Sequence, residues 1–335
     1  LSAMMGQAPE TSQTATASEI ANELALDVRT EQTVTAIDSS SKTLTVNGQS
    51  LVYRDLILAC GAEPIRLPIP GIESPKVMSV NSLDDYRRWV EAVTPESRIV
   101  IIGGGLVGTE FSNDLKRYGC DVTVINLGDP VAQLLPEAIA RALKNRLIEH
   151  GIDWIGDQAI SQCIDQGATM DVILQNGRCL SADHVLLAVG LHSNTALAQA
   201  ASLEVDDGIV VNDQGQTTQE HIYAIGDCAQ VMGQVRRYVG PIRHLAVAMA
   251  QTLTGTPTSV HYPPMPILMK TPLCPTMICL PPKGLEGYWQ IEGKENDLVA
   301  KFLDQQGALR GFSLIGETMT QRAMLLKQVM ANHSA

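Results

Sequence analysis

The feature that most constrains this chain is that it repeats itself. An Asn-Gly pair stands at Asn47-Gly48 and again, 129 residues on, at Asn176-Gly177; Gly61 and Gly190 are separated by the same 129 residues. Leu51, Leu58, Ala59 and Gly61 recur as Leu180, Leu187, Ala188 and Gly190. In the first copy, β-rich runs at Thr33 to Ile37, Lys42 to Val46 and Leu51 to Tyr53 precede an apolar run, Asp55 to Ala59. In the second, Gln158 to Ile164, Met170 to Leu174 and Arg178 to Ser181 precede His184 to Val189. Asn-Gly between such runs predicts a tight hairpin. An internal repeat outranks other fold signals, so the chain is read as two copies of one supersecondary unit.

The second copy carries the more informative stretch, Arg98 to Asn126. Arg98 to Ile102 is a β-branched run of strand length, suited to a strand buried on both faces. Gly103, Gly105 and Gly108 follow in G-x-G-x-x-G spacing. Leu106 to Tyr118 continues at helical spacing with Gly119 at its C′ position, and Asp121 to Ile125 is a second strand. The three glycines suit a tight turn, a close approach of backbone to a pyrophosphate and close helix-to-strand packing, and the helix N-terminus offers free N–H groups to phosphate. The second strand ends at Asn126, where a carboxylate would accept a ribose hydroxyl or an arginine would hold a 2′-phosphate. An amide can bond a hydroxyl, and no Lys or Arg occurs from Asn126 to Ala140, so NAD is expected rather than NADP.

Gly103 precedes Asn176 by 73 residues. The same spacing in the first copy would put its glycine turn roughly 26 residues upstream of Leu1, so the sequence is expected to begin inside its first unit.

Other elements punctuate the chain. Ser18 is an expected N-cap for a helix to Leu26, running into a strand at Ala25 to Arg29. Asp84 to Ala92 and Glu137 to Glu149 read as helices, the latter with Pro136 at N1 and Gly151 beyond its end. Gly208 to Val211 is a short strand. Ile222 to Ala229 is a strand ending in Gly226-Asp227, a carboxylate at a strand's carboxyl end, where α/β folds place ligands. Leu245 to Leu253 reads as a helix. Eight prolines between Thr256 and Pro282 mark a domain junction. Beyond it, Tyr288 to Glu292, Leu298 to Leu303 and Leu309 to Leu314 form a small antiparallel sheet, closed by a helix from Thr318 to Met330.

A net charge of −12 and a pI near 5.0 argue against nucleic acid or an anionic membrane as partner, since both need a basic footprint. No apolar run reaches membrane-spanning length. The seven cysteines are scattered and odd in number, which implies no secreted disulfide framework, and there is no C-x-x-C. Cys274 and Cys279 are closely spaced, but Pro275 and their place past the junction argue against a dithiol relay. No metal site is expected.

Two nucleotide units, one inserted in the other, with a small terminal domain, resemble the flavin-dependent pyridine-nucleotide reductases over essentially the whole chain. The segment Leu56 to Pro64 resembles that family's alanine-threonine-glycine segment, with Cys60 in place of Thr. Ile222 to Ala229 is similar to its flavin-binding Gly-Asp segment. Gly190-Leu191-His192-Ser193-Asn194-Thr195 is similar to its G-x-R-P-N-T turn, departing at His192 and Ser193. The segments Gly61 to Arg66, Glu110 to Leu115, Met265-Pro266 and Lys270 to Pro275 most resemble the rubredoxin-reductase branch.

The resemblance implies an α/β fold of two Rossmann-like three-layer domains, the NAD domain inserted in a discontinuous FAD domain, plus a small C-terminal α+β domain. The implied boundaries are 1–84 and 201–258 for FAD, 85–200 for NAD and 259–335 for the interface domain. It further implies that the backbone of Val34 holds the adenine of FAD and that Gly61 lies at the flavin site. Asp227 would bond the ribityl or phosphate region, Val239 the isoalloxazine edge through its backbone, and Lys270 the flavin ring; Glu110 would lie where flavin and nicotinamide meet. The implied activity passes electrons from NADH through FAD to rubredoxin or another small iron protein, in the cytoplasm. NADH oxidase or ferredoxin reductase activity is the neighbouring alternative, and a flavin-free nicotinamide-binding or interaction fragment is the alternative of another class.

Overall fold

The computed structural model describes residues 15–333. They form two compact units, one of residues 64–190 and 263–333, the other of residues 15–63 and 191–262.

The first unit is built on a five-stranded parallel sheet in the spatial order Val77–Met78, His184–Leu187, Arg98–Ile102, Asp121–Ile125 and Asp153–Ile155. The strand expected to be buried on both faces is so, with Ile99 to Ile102 all buried between neighbours on either side. Helix Leu106–Tyr118 follows it and ends on Gly119 in the left-handed conformation, as the sequence predicts. Helix Glu137–Glu149 also has the expected span, but Pro136 is its N-cap rather than its N1 residue. The three strands around Asn176-Gly177, Ile160–Asp165, Met170–Leu174 and Cys179–Ala182, make an antiparallel meander.

Residues 263–333 add a second five-stranded sheet, antiparallel, in the order Ile267–Met269, Thr276–Cys279, Leu309–Ile315, Asp297–Asp304 and Gly287–Lys294. Three of these strands are foreseen by the sequence. The other two lie inside the proline-rich stretch, with Pro266, Pro272 and Pro275 just outside their ends, where proline removes no ladder bond. The closing helix is Arg322–His333, later than expected, because Gly316–Gln321 is a 3-10 turn. One apolar core joins the parallel sheet to this second one: Trp89, Phe111 and Leu115 cluster with Met269, Cys274, Ile278, Ala300 and Ile315.

The second unit has the matching meander, Val34–Asp38, Thr43–Val46 and Gln49–Val52. Strand Leu56–Leu58 then pairs in parallel with Ile222–Ala224. Ile209–Val211, Ala229–Val231 and Gln234–Val235 form a small third sheet, and helix Val239–Leu253 starts six residues before the expected Leu245. Its core gathers Ile37, Leu44, Leu58, Ile222, Leu245 and Met249. Helix Ala17–Leu24 is capped by Thr16 rather than Ser18, because Thr16 and Glu19 complete a reciprocal capping box. The strand expected at Ala25 to Arg29 does not form; Ala25 turns left-handed at φ 50° to end the helix.

Among the described residues, no helix is long and apolar enough to cross a membrane, and no group of His, Cys, Asp and Glu could hold a metal ion.

Candidate functional site

The glycine turn is held from three sides. The Gly103 N–H donates to the Ile125 carbonyl at 2.9 Å, the Gly104 N–H to Asn126 Oδ1 at 3.0 Å, and the Gly104 carbonyl accepts from the Val131 N–H at 2.8 Å. Gly103 sits at φ +104°, and a Cβ there would stand 2.4 Å from the Ala188 carbonyl oxygen. A Cβ on Gly108 would come within 2.0 Å of the Gly103 oxygen. These two glycines are demanded by backbone packing. Gly105 differs, because a Cβ there would meet nothing within 4 Å. It is the N-cap of Leu106–Tyr118 and provides no side-chain cap for the first-turn amides. Crowding at two glycines and vacancy at the third, with uncapped N–H donors, is the donor set and clearance a pyrophosphate needs.

Asn126, expected to meet a ribose, is engaged within the chain. Its Oδ1 accepts from Gly104, while its Nδ2 donates to the carbonyls of Gly128 at 3.1 Å and Asp129 at 3.2 Å. The Trp154 indole N–H also donates to the Gly128 carbonyl, and a Cβ on Gly104 would collide with the Trp154 ring. Asn126 thus shapes the turn and the loop after the second strand. A cation that local sequence did not reveal also reaches this loop: Lys144, from helix Glu137–Glu149, pairs with Asp129 at 2.9 Å. Its distance along the chain hid it.

The same glycine-turn helix grips a second motif. Glu110 Oε1 accepts the backbone N–H of Lys270 at 2.8 Å, and one turn on, Asn113 Oδ1 accepts the N–H of Leu273 at 2.9 Å. The gripped segment is itself a closed turn, with the Cys274 N–H bonded to the Thr271 carbonyl and the Thr271 hydroxyl to the Cys274 carbonyl. The two segments Glu110 to Leu115 and Lys270 to Pro275 are therefore one structure. Lys270 itself is exposed. Burial raises the Glu110 carboxyl above the usual carboxylate range, against the lowering effect of the Lys270 N–H and charge; burial likewise raises Asp114. Gly190 lies in the same unit, at φ +107°, with its carbonyl accepting from the Ile65 N–H.

The remaining expected residues lie in the second unit. Asp227 opens a 3-10 turn at the carboxyl end of Ile222–Ala224, and among the described residues its carboxylate has no hydrogen-bond partner; its carbonyl accepts from the Ser193 hydroxyl. Val239 is the first residue of helix Val239–Leu253, 63% exposed, and the helix has no side-chain cap. Gly61 is left-handed at φ +68° with open space where a Cβ would point, and its carbonyl accepts from the Asn194 N–H. Val34 begins the meander opposite Val46. An unpartnered carboxylate for hydroxyls, an uncapped helix start and a glycine with clearance suit FAD.

Comparison with known proteins gives the family. Residues 1–252 match the model of the pyridine nucleotide-disulphide oxidoreductase family, and residues 259–329 match that of the rubredoxin binding C-terminal domain. The chain is 40% identical to a rubredoxin-NAD(+) reductase of Acinetobacter baylyi, covering 97% of this chain and 85% of that protein. It is 37% identical to a rubredoxin-NAD(+) reductase of Alcanivorax borkumensis, covering 95% and 84% respectively. Among solved structures, the ferredoxin reductase of Rhodopseudomonas palustris superposes with a TM-score of 0.85 at 23% identity, covering 97% of this chain and 83% of that one.

Proposed function

The chain belongs to the pyridine nucleotide-disulphide oxidoreductase family, and we propose that it is an NADH-dependent flavoprotein that passes electrons through FAD to rubredoxin or a similar small iron protein in the cytoplasm. The observation that carries the reading is the double duty of helix Leu106–Tyr118: its N-terminus makes the phosphate turn, and its Glu110 and Asn113 fix the lysine-bearing turn Lys270 to Cys274.

FAD, held by the residues named below, would supply the redox chemistry that links a two-electron donor to a one-electron acceptor. The protein supplies placement and charge. Gly103 and Gly108 keep the turn tight, and Gly105 leaves room for the NADH pyrophosphate to meet first-turn N–H groups. Asn126 holds Gly104 and the loop to Asp129 in the conformation that receives the adenosine side, and Gly190 shapes the turn beyond its strand. Val34, Gly61, Asp227 and Val239 serve FAD: backbone contact for adenine, clearance, an acceptor for hydroxyls, and a helix-start N–H. Lys270 supplies a cation to the flavin ring, where a preorganised charge stabilises developing anion better than water does. Glu110 holds the Lys270 backbone and so sets where that cation stands. The corresponding domains are 1–84 with 201–258 for FAD, 85–200 for NAD and 259–335 for the electron acceptor.

Stopped-flow kinetics test the reading. NADH should bleach the bound flavin, and rubredoxin should restore its colour faster than ferredoxin or oxygen does. Reoxidation by oxygen at a rate equal to or above that with rubredoxin would overturn the acceptor assignment.

A further inference from the structure

Of the seven cysteines, two from distant parts of the chain meet. Leu56–Leu58 and Ile222–Ala224 run parallel in register, and the Ile225 N–H continues the ladder to the Leu58 carbonyl at 2.9 Å. Cys60 lies two residues beyond the first strand and Cys228 closes the 3-10 turn after the second, so both thiols stand at the same carboxyl edge. The Cys228 Sγ is 3.5 Å from the Leu58 oxygen and 3.3 Å from the Ile225 oxygen, which fixes it under the loop that carries Cys60. That loop is anchored in turn, since the Asn194 side chain donates to the Cys60 carbonyl at 2.9 Å. Cys60 is exposed, whereas Cys228 is 0% exposed.

The two sulfurs are unlike in chemistry as well as in access. The interaction with the Cys228 thiol holds Cys60 down at about 7, below the ordinary thiol value. The proximity of Cys60, together with burial, pushes Cys228 up. The buried thiols elsewhere are also pushed up, Cys120 and Cys279 to about 11 and Cys274 to about 12, in each case chiefly by burial. An accessible thiolate beside a sheltered thiol is the arrangement in which the first sulfur attacks the oxidant and the second resolves the product.

We propose that Cys60 and Cys228 form an oxidisable dithiol, a peroxide-reactive modification site at the edge of the second unit. The Cys60 thiolate attacks hydrogen peroxide, breaking the O–O bond to give Cys60 sulfenic acid and hydroxide. The Cys228 sulfur then attacks the Cys60 sulfur, displacing the sulfenic oxygen; with the Cys228 proton and one from solvent, the two oxygens leave as two waters. Two thiols are oxidised to one disulfide and one peroxide is reduced. The covalent bond requires the two sulfurs to come to roughly 2 Å. A small dithiol reductant restores both thiols by exchange. The bond would staple the loop before Gly61 to the turn bearing Asp227.

The test treats the purified holoenzyme with stoichiometric hydrogen peroxide, blocks remaining thiols with iodoacetamide and maps the peptides without reduction. The expected product is a Cys60–Cys228 cross-linked peptide that dithiothreitol removes, with Cys120, Cys163, Cys274 and Cys279 still reduced. Cys60→Thr should abolish the cross-link, and Cys274→Ser should leave it unchanged. Without peroxide, Cys60 should alkylate at least tenfold faster than exposed Cys179 at neutral pH. A Cys60 sulfinic acid with no cross-link, an unoxidised Cys60, or a disulfide joining Cys60 or Cys228 to any other cysteine instead would each overturn the proposal. Because Cys60→Thr alters only an exposed position, the test does not depend on a variant of buried Cys228 folding.

Discussion

The two copies of the repeated unit share a meander and a closing left-handed glycine, yet their parallel strands live in different surroundings. In the second copy, His184–Leu187 has a strand on either side, Val77–Met78 and Arg98–Ile102, and Val185 to Leu187 are buried. In the first copy, among the described residues, Leu56–Leu58 pairs with Ile222–Ala224 on one side, and Ile57 is 45% exposed. The residue before the closing glycine follows suit, apolar Val189 in one copy and exposed Cys60 in the other. One local pattern therefore fixes how the chain turns, while the neighbours decide which positions are free to do chemistry.

Gly108→Val tests the contrast most severely. Its Cβ would land on the Gly103 carbonyl, a backbone clash that should cost about 3 kcal/mol or more and lower the urea midpoint of the second copy sharply. Gly61→Ala, strained in φ but open in space, should cost only about 1 kcal/mol. Equal costs would show the two environments to be alike after all.

Gly105→Val separates binding from folding within one copy. The side chain enters open space, so the melting temperature should hold while the Kd for NADH rises on the order of a hundredfold, because backbone can no longer approach pyrophosphate. An unaltered Kd would remove Gly105 from the site.

Lys270→Ala should slow flavin reduction by NADH on the order of tenfold and lower the flavin potential, with the fold unaffected because the side chain is exposed. If rate and potential both stay put, Lys270 has no part in tuning the flavin.

A smaller effect is expected at the loop after Asn126. Wild type should favour NADH, since Asp129 occupies Lys144. Asp129→Asn should free that ammonium for a 2′-phosphate and raise the NADPH to NADH ratio of kcat/KM by several-fold. A ratio that does not move would place Lys144 out of reach of the nucleotide.

Glu110→Gln should have the mildest consequence for stability, and its sign is informative. The folded carboxyl is raised by burial, so the protonated form favours the folded state. That contribution is full below the ordinary carboxylate value and is lost as pH rises through the raised one. The amide keeps an oxygen for the Lys270 N–H but cannot ionise. The variant should therefore be as stable as wild type in acid, somewhat more stable at neutral pH, and flatter in between; a loss of stability at neutral pH would contradict the burial argument.

These contrasts follow the line between local and distant information in the chain. The strand, glycine turn, helix and strand from Arg98 to Ile125 were legible because each boundary is set by residues a few positions away. The meanders were legible for the same reason. Asn126 was recognised as important, but its bonds to Gly104, Gly128 and Asp129 depend on how a loop closes. Lys144 and the Glu110 bond to Lys270 join residues far apart in sequence, and so does the meeting of Cys60 with Cys228. No spacing rule for neighbouring cysteines could find that pair. The helix start at Thr16 was missed for a subtler reason, two hydroxyl residues, Thr16 and Ser18, competing for one cap, with Glu19 deciding between them.

The apolar cluster that runs from Trp89 and Leu115 to Ala300 and Ile315 also sets how this part of the molecule comes apart. Arg146 on helix Glu137–Glu149 adds a 2.6 Å ion pair to Asp297 across the same boundary. The parallel sheet and the antiparallel one accordingly open together, and their slowest-exchanging amides should share one free energy of opening. Cutting the chain at residue 262 would release no self-sufficient tail; it would bare a wall of leucine, isoleucine and methionine on both fragments.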